Sequence, residues 1–372
     1  MSNKFIPLDQ PSAVQARINL YDLDFDQLTA HVAAWGQPKF RAQQIWEWLY
    51  QQFATDFAGM TNLPHSLRQK LAEQTTLQPF QVTALEHSSD GQTHKYLFQL
   101  PDGKYIETVL MTYERRRTVC ISTQAGCAMG CVFCATGQMG FLRHLSSGEI
   151  VAQVIWMARE LAQRGDHLTN VVFMGMGEPL HNYANTMAAL DRLTDATGLN
   201  LGARRLTIST VGLVPAMRRY ADEQRQTPLA VSLHAATDAE RDKLIPINKK
   251  WPIPVLMEAC RYYVEKTGRR ITFEWALIEG ENDTVEQAQQ LGKLVQGMLC
   301  HVNLIPLNPT RDYAGKPSSH ERVQAFQNTL ARYGVSSTVR VRRGIDIQAG
   351  CGQLRASVVG VGNSGLSNLG IV

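Results

Sequence analysis

A chain of 372 residues allows roughly two to three domains at about 150 residues each, so one large core and a separate module both fit. With 44% hydrophobic and 19% charged residues, and only 28 Gly and 15 Pro, it is neither disordered nor low-complexity. The net charge of +4 hides an asymmetry: residues 1–112 carry 8 Lys and Arg against 11 Asp and Glu, and the remainder carries 29 against 22. The basic surplus permits a polyanionic partner without any dense basic arm.

The start, MSNKFIPLDQPSAVQARINL, lacks the apolar run of a signal peptide, so a cytoplasmic protein is expected. Thr118 to Leu142 has no charged residue, but its four Gly and its Ser, Thr and Gln exclude a membrane span.

Bulky residues at helical spacing (Ile45, Trp46, Leu49, Phe53) predict a small helical module over residues 1–75. Residues 76–114 alternate apolar and polar side chains, with turn signals at Asp90-Gly91 and Asp102-Gly103, and predict antiparallel hairpins. From Arg117, strand candidates at 118–122, 170–174, 205–209, 228–233, 270–278, 301–307 and 337–342 alternate with predicted helices near 147–163, 183–196, 212–222, 253–266, 283–298 and 320–332. Capping boxes are expected at Ser146/Glu149, Thr237/Glu240 and Ser318/Glu321. Such alternation predicts an α/β parallel sheet curved into a full or partial barrel over residues 115–356. Residues 357–372, rich in Gly, Asn and Ser, are expected to form a flexible tail.

Of seven cysteines, Cys127, Cys131 and Cys134 form C-x3-C-x2-C in a Gly-rich loop directly after the first barrel strand. Thiolates ligate iron–sulfur clusters, and three of them leave one iron free for a small ligand. Gly126, Gly130 and Gly137 let the loop curl and bring backbone N–H groups to the sulfurs. A zinc site with His144 as fourth ligand is the alternative. Cys260 and Cys300 read as packing residues.

The loop resembles that of the radical S-adenosylmethionine (SAM) superfamily. The runs CISTQAGCAMGCVFCATG, FMGMGEPL, LTIST, VSLHA, LIPLNP and RRGIDIQAGCGQL resemble the RlmN/Cfr family of RNA adenine methyltransferases, closest to its RlmN branch, over about residues 20–356. The resemblance implies a partial (βα)6 triosephosphate-isomerase-type barrel. It also implies one [4Fe–4S] cluster on Cys127, Cys131 and Cys134, and SAM held by Gly177, Glu178, Ser209, Ser232, Leu233, His234 and Asn308. Read alone, Glu178 caps a helix, His234 is a rim histidine and Asn308 starts a turn as readily as they bind a ligand.

By the same resemblance Cys351 is methylated by one SAM, and a radical drawn from a second activates that methyl for attack on adenine C2. Glu107 then takes the C2 proton, and Cys120 releases the RNA through a transient Cys120–Cys351 disulfide. The implied substrates are 23S rRNA at the peptidyl transferase centre and tRNA next to the anticodon; electrons come from a flavodoxin or ferredoxin system, and the chain is a monomer. The C8-methylating branch shares these motifs, and a radical SAM enzyme acting on a non-RNA substrate stays open. Arg115, Arg116, Arg117, Lys249, Lys250, Arg269, Arg270, Arg340, Arg342, Arg343, Lys39 and Arg41 are the candidate phosphate contacts.

Overall fold

The chain is represented by a computed structural model that describes residues 17–356, so the expected tail over 357–372 lies outside the described residues. Ten strands build one open sheet: β1 Gln81–His87, β2 Thr93–Gln99, β3 Tyr105–Thr112, β4 Arg117–Cys120, β5 Asn170–Phe173, β6 Leu206–Thr210, β7 Leu229–Ser232, β8 Ile271–Leu277, β9 Cys300–Pro306 and β10 Ser337–Val339. They lie in chain order across the sheet, β4 to β10 parallel and β1 to β4 antiparallel. The hairpin turns fall where Asp-Gly was read: Gly91 and Gly103 adopt φ of 67° and 77°.

Each parallel strand except the last is followed by helix, giving six strand–helix units and a closing strand. The crossover helices are α4 Ser147–Ala162, α5 Tyr183–Thr194, α6 Val214–Asp222, α7 Asp238–Leu244, α8 Ile253–Thr267, α9 Val285–Val295 and α10 His320–Arg332. Helix α7 was not expected, although its cap was: Thr237 accepts from the Glu240 amide. Ser146 and Glu149 form the full reciprocal box at α4. The box expected at Ser318/Glu321 is wrong by one residue. Ser319 caps α10, while the Ser318 hydroxyl donates to buried Asp283 at 2.6 Å, a carboxylate that also needs donors.

Three helices, Phe25–Ala34, Phe40–Tyr50 and His65–Gln74, precede the sheet. The turn Leu20–Asp22 that leads into them packs against α4 and, through Arg192, against α5. The Asp22 carboxylate accepts from the Gly148 amide at 2.6 Å, placing negative charge on the helix N-terminus, and buried Arg192 donates to the Tyr21 carbonyl at 2.6 Å. The hairpins dock on α4 through Phe80, Phe98 and Trp156, with Phe80 and Phe98 ring centroids 4.1 Å apart. Among the described residues no helix is long and apolar enough to cross a membrane.

A Cβ at Gly148 would lie 2.5 Å from the Asp22 amide nitrogen and 2.7 Å from the Tyr21 carbonyl carbon. Gly148→Ala is therefore expected to cost about 1–3 kcal/mol, read as a lowered Tm. An unchanged Tm would show that the α4 contact is not tight.

Candidate active site

The carboxyl ends of the parallel strands open onto a cavity of about 950 Å³, mouth included. Cys127, Cys131 and Cys134 line one side, and Gly177, Glu178, Ser209, Ser232, His234, Asn308 and Cys351 line the rest. Of the expected site residues, Leu233, Glu107 and Cys120 are not in this wall. Leu233 is fully buried, and its backbone is spent on the Glu274 carbonyl and the Arg241 guanidinium.

The cysteine loop folds back on itself. The Cys127 amide donates to the Gly140 carbonyl at 2.8 Å, and a Cβ on Gly126 would lie 2.0 Å from that same oxygen. The Met129 amide beside Cys127, and the Thr136 and Gly137 amides beside Cys134, favour the ionised thiolates against burial. These N–H groups would offset the charge of an anionic cluster. Burial pushes the Cys127 thiol up to about 12, so ligation must release its proton.

Among the described residues no three His, Cys, Asp or Glu side chains converge closely enough to hold one ion. Three thiols around a common cavity are the donor set of a cluster that keeps one iron free for a small ligand. His144 is engaged elsewhere, its Nδ1 3.0 Å from the Gln124 amide nitrogen and its ring against Phe141 and His181.

Glu178 is buried and accepts from the Leu180 amide at 3.0 Å and the Val211 amide at 2.8 Å. It caps no helix, since α5 has Asn182 at its N-cap and no side-chain cap, but its carboxylate ties the segments after β5 and β6 together and also faces the cavity. Burial raises its pKa to about 7 against these hydrogen bonds. Gly177 has φ 101°, and a Cβ there would lie 2.5 Å from that of Gln124. His234, at φ 57°, accepts from the Ala276 amide through Nδ1 at 2.8 Å. Burial, with Arg241 adding to it, lowers its pKa to about 3. The neutral ring therefore carries its proton on Nε2. Asn308 donates to the Cys351 carbonyl at 3.1 Å and leaves its Oδ1 buried and unpartnered, a vacancy that suits a ligand donor such as an ammonium.

Cys351 is exposed and reaches the cavity because residues 344–355 are pinned from several sides. The Ala135 amide donates to the Gly352 carbonyl at 2.7 Å, Thr136 to the Leu354 carbonyl at 2.6 Å, and Gln353 to the Pro309 carbonyl at 2.8 Å. The Arg355 amide donates to Glu107 at 2.8 Å. Glu107 is buried on β3, 3.6 Å from Lys95, and burial raises its pKa. Cys120, at the end of β4, lines a second, smaller cavity together with Cys351, and burial pushes its thiol up to about 12. All seven cysteines are free thiols, so the expected Cys120–Cys351 disulfide is absent: the two share a cavity without a bond between them.

Sequence reasoning missed Met129, Phe133, Met174 and Glu274 in the large cavity's wall, and placed Arg340 only among the candidate phosphate contacts. Glu274 carried a signal, being the one carboxylate in the apolar strand β8. It accepts from Asn303 at 2.9 Å, sits 4.0 Å from Arg340, and keeps one oxygen unpartnered. Other candidate phosphate contacts are taken: Arg117 pairs with Asp166, Arg269 with Gln226, and Arg41 with Gln44 and the Asn62 carbonyl.

Gly126→Ala is expected to abolish loading with iron and sulfide while leaving the circular dichroism spectrum intact. A fully loaded variant would refute the account of the loop. A carboxylate with a raised folded pKa stabilises most when protonated, so the Glu178 contribution is present below pH 4.5 and lost as pH rises to about 7. In denaturant titrations without cofactors, wild type minus Glu178→Gln should fall across that window by on the order of 3 kcal/mol.

Two family models match: the ribosomal RNA large subunit methyltransferase N-terminal domain over residues 18–77, and the radical SAM superfamily over residues 121–291. The dual-specificity RNA methyltransferase RlmN 1 of Myxococcus xanthus is 58% identical over 340 residues, covering 91% of this chain and 95% of its own length. A probable dual-specificity RNA methyltransferase RlmN of Geobacillus kaustophilus is 48% identical, covering 91% and 92%. The crystal structure of a radical SAM methyltransferase from Sphaerobacter thermophilus superposes with a TM-score of 0.90 at 50% identity, over 91% of this chain and all of the other. With its cysteine loop at the mouth of a radical SAM fold and relatives of this closeness along nine-tenths of its length, the chain belongs to the RlmN family of SAM-dependent RNA methyltransferases.

Proposed function

We propose that this chain methylates C2 of an adenine in 23S rRNA at the peptidyl transferase centre, and in tRNA next to the anticodon, working in the cytoplasm as a monomer with electrons from a flavodoxin or ferredoxin system. The observation that carries this reading is the position of Cys351, which shares one cavity with the three loop cysteines and another with Cys120.

Cys127, Cys131 and Cys134 would hold one [4Fe–4S] cluster, and Gly177, Glu178, Ser209, Ser232, His234 and Asn308 would hold SAM, with Leu233 contributing only through the backbone around it. Bound together, the two groups supply a methyl group and a hydrogen-abstracting radical, which an electron-poor ring carbon requires. Ionised Glu178 and the free Asn308 oxygen suit the SAM ammonium, and the Nε2–H of His234 suits an acceptor atom.

Cys351 carries the methyl carbon to the base on its sulfur, leaving enzyme and RNA joined. Glu107, whose pKa is raised by burial, is a better base than an exposed carboxylate and accepts the C2 proton. It lies under the Arg355 amide, so the segment that presents Cys351 must shift to uncover it. Cys120, giving up its thiol proton, then attacks the Cys351 sulfur; the sulfur–carbon bond breaks, its electron pair stays on the methylene carbon, and that carbon takes up a proton as the methylated base leaves. The sulfur–sulfur bond so formed belongs to turnover and must be reduced before the next cycle.

RNA from cells carrying the chain should contain 2-methyladenosine that cells lacking it do not; 8-methyladenosine in its place would assign the chain to the C8-methylating reaction. Cys351→Ala should abolish the product. Cys120→Ala should accumulate protein cross-linked to RNA, visible as a gel shift removed by ribonuclease.

A further inference from the structure

The two cavities meet. Cys351, Asn308, Arg340 and Met174 line both, so Cys351 stands in the partition between them. The large cavity holds the loop cysteines, and the small one opens beside Tyr113, Val341, Arg342 and Arg343.

Tyr113 is held rigidly. Its amide donates to the Arg116 carbonyl at 2.8 Å and its carbonyl accepts from Arg117 at 2.7 Å. The Arg116 and Arg343 guanidinium carbons lie 4.9 and 4.6 Å from its ring centroid, so two cations gather on one aromatic ring beside the cavity. Arg343 is anchored by Gln92 and lies 3.9 Å from Asp90, yet its Nε is buried without a partner. Arg342 is exposed and has no side-chain partner among the described residues, and neighbouring Val341 is 72% exposed. Arginines outnumber the nearby carboxylates Asp90 and Glu114 at this rim.

We propose that the small cavity is the entrance for the target nucleotide, with the Arg116, Tyr113 and Arg343 group as the platform for a flanking base and Arg342 as a phosphate contact. This rests on the RNA methyltransferase reading and adds the side from which RNA arrives. Single-stranded RNA is recognised by stacking of unpaired bases on aromatic rings and guanidinium planes, together with cations on the backbone. The rim offers both next to an exposed apolar side chain. Among the residues of the large cavity's wall no arginine lies against an aromatic ring. A base entering here meets Cys351 on the face opposite the loop cysteines, so a single sulfur can serve both chambers.

The test is fluorescence anisotropy of a labelled RNA hairpin with one loop adenine, titrated with cluster-loaded protein at several salt concentrations. Tyr113→Ala should weaken binding about tenfold, and Tyr113→Phe, which keeps the ring, should restore it. Arg342→Ala, at an exposed position that cannot unfold the chain, should flatten the salt dependence by about one unit of slope. Wild-type affinity and slope in both alanine variants would overturn the proposal, as would a Tyr113→Phe defect equal to that of alanine. If the wild-type chain bound no hairpin and made no methylated adenosine, the RNA reading itself would fail, and this inference with it.

Discussion

Parallel strands that stop at the mouth of an open sheet leave amides and carbonyls without ladder partners, and in a buried setting each must be satisfied. Here a few buried polar side chains do so. Arg241 donates to the carbonyls of Val211, Ser232 and Leu233, tying the ends of two neighbouring strands together. Asn282 donates to His234 and Ala276 and accepts from Ile278. Asn182 bridges the carbonyls of Thr123 and Leu145. These groups fix the strand ends and loops that frame the cavity.

The same constraint explains why functional and structural readings of one residue coexist. Glu178 holds the Leu180 and Val211 amides and still presents charge to the cavity. His234 accepts one amide, which selects the tautomer that faces the ligand space. A side chain already locked by a backbone partner loses little entropy when a ligand arrives, so the structural role prepares the binding role.

Residues 344–355 impose the second constraint. Their contacts reach the cysteine loop, β3, the β1–β2 turn and the segment after β9, with Asp346 accepting from the Ser89 amide at 2.7 Å. Exposed Cys351 is therefore held where two chambers meet, and Glu107 is covered by the same segment. A conformational change in one short stretch would alter the thiol's position and the base's accessibility together.

Much of this was legible in the sequence, because local rules govern it. Asp-Gly turns, the Ser146/Glu149 box, strand–helix alternation and the C-x3-C-x2-C loop each depend on neighbours within a few positions. Tertiary structure alone decided what depends on distant contacts. It drew Ser318 away from its cap to Asp283, placed Glu274 and Arg340 inside the cavity, and turned Leu233 into the core. It also set Cys120 and Cys351, 231 positions apart in the chain, on one cavity. Sequence spacing carries no information about such meetings, since they arise from how strand ends and a returning segment satisfy each other's buried polar groups.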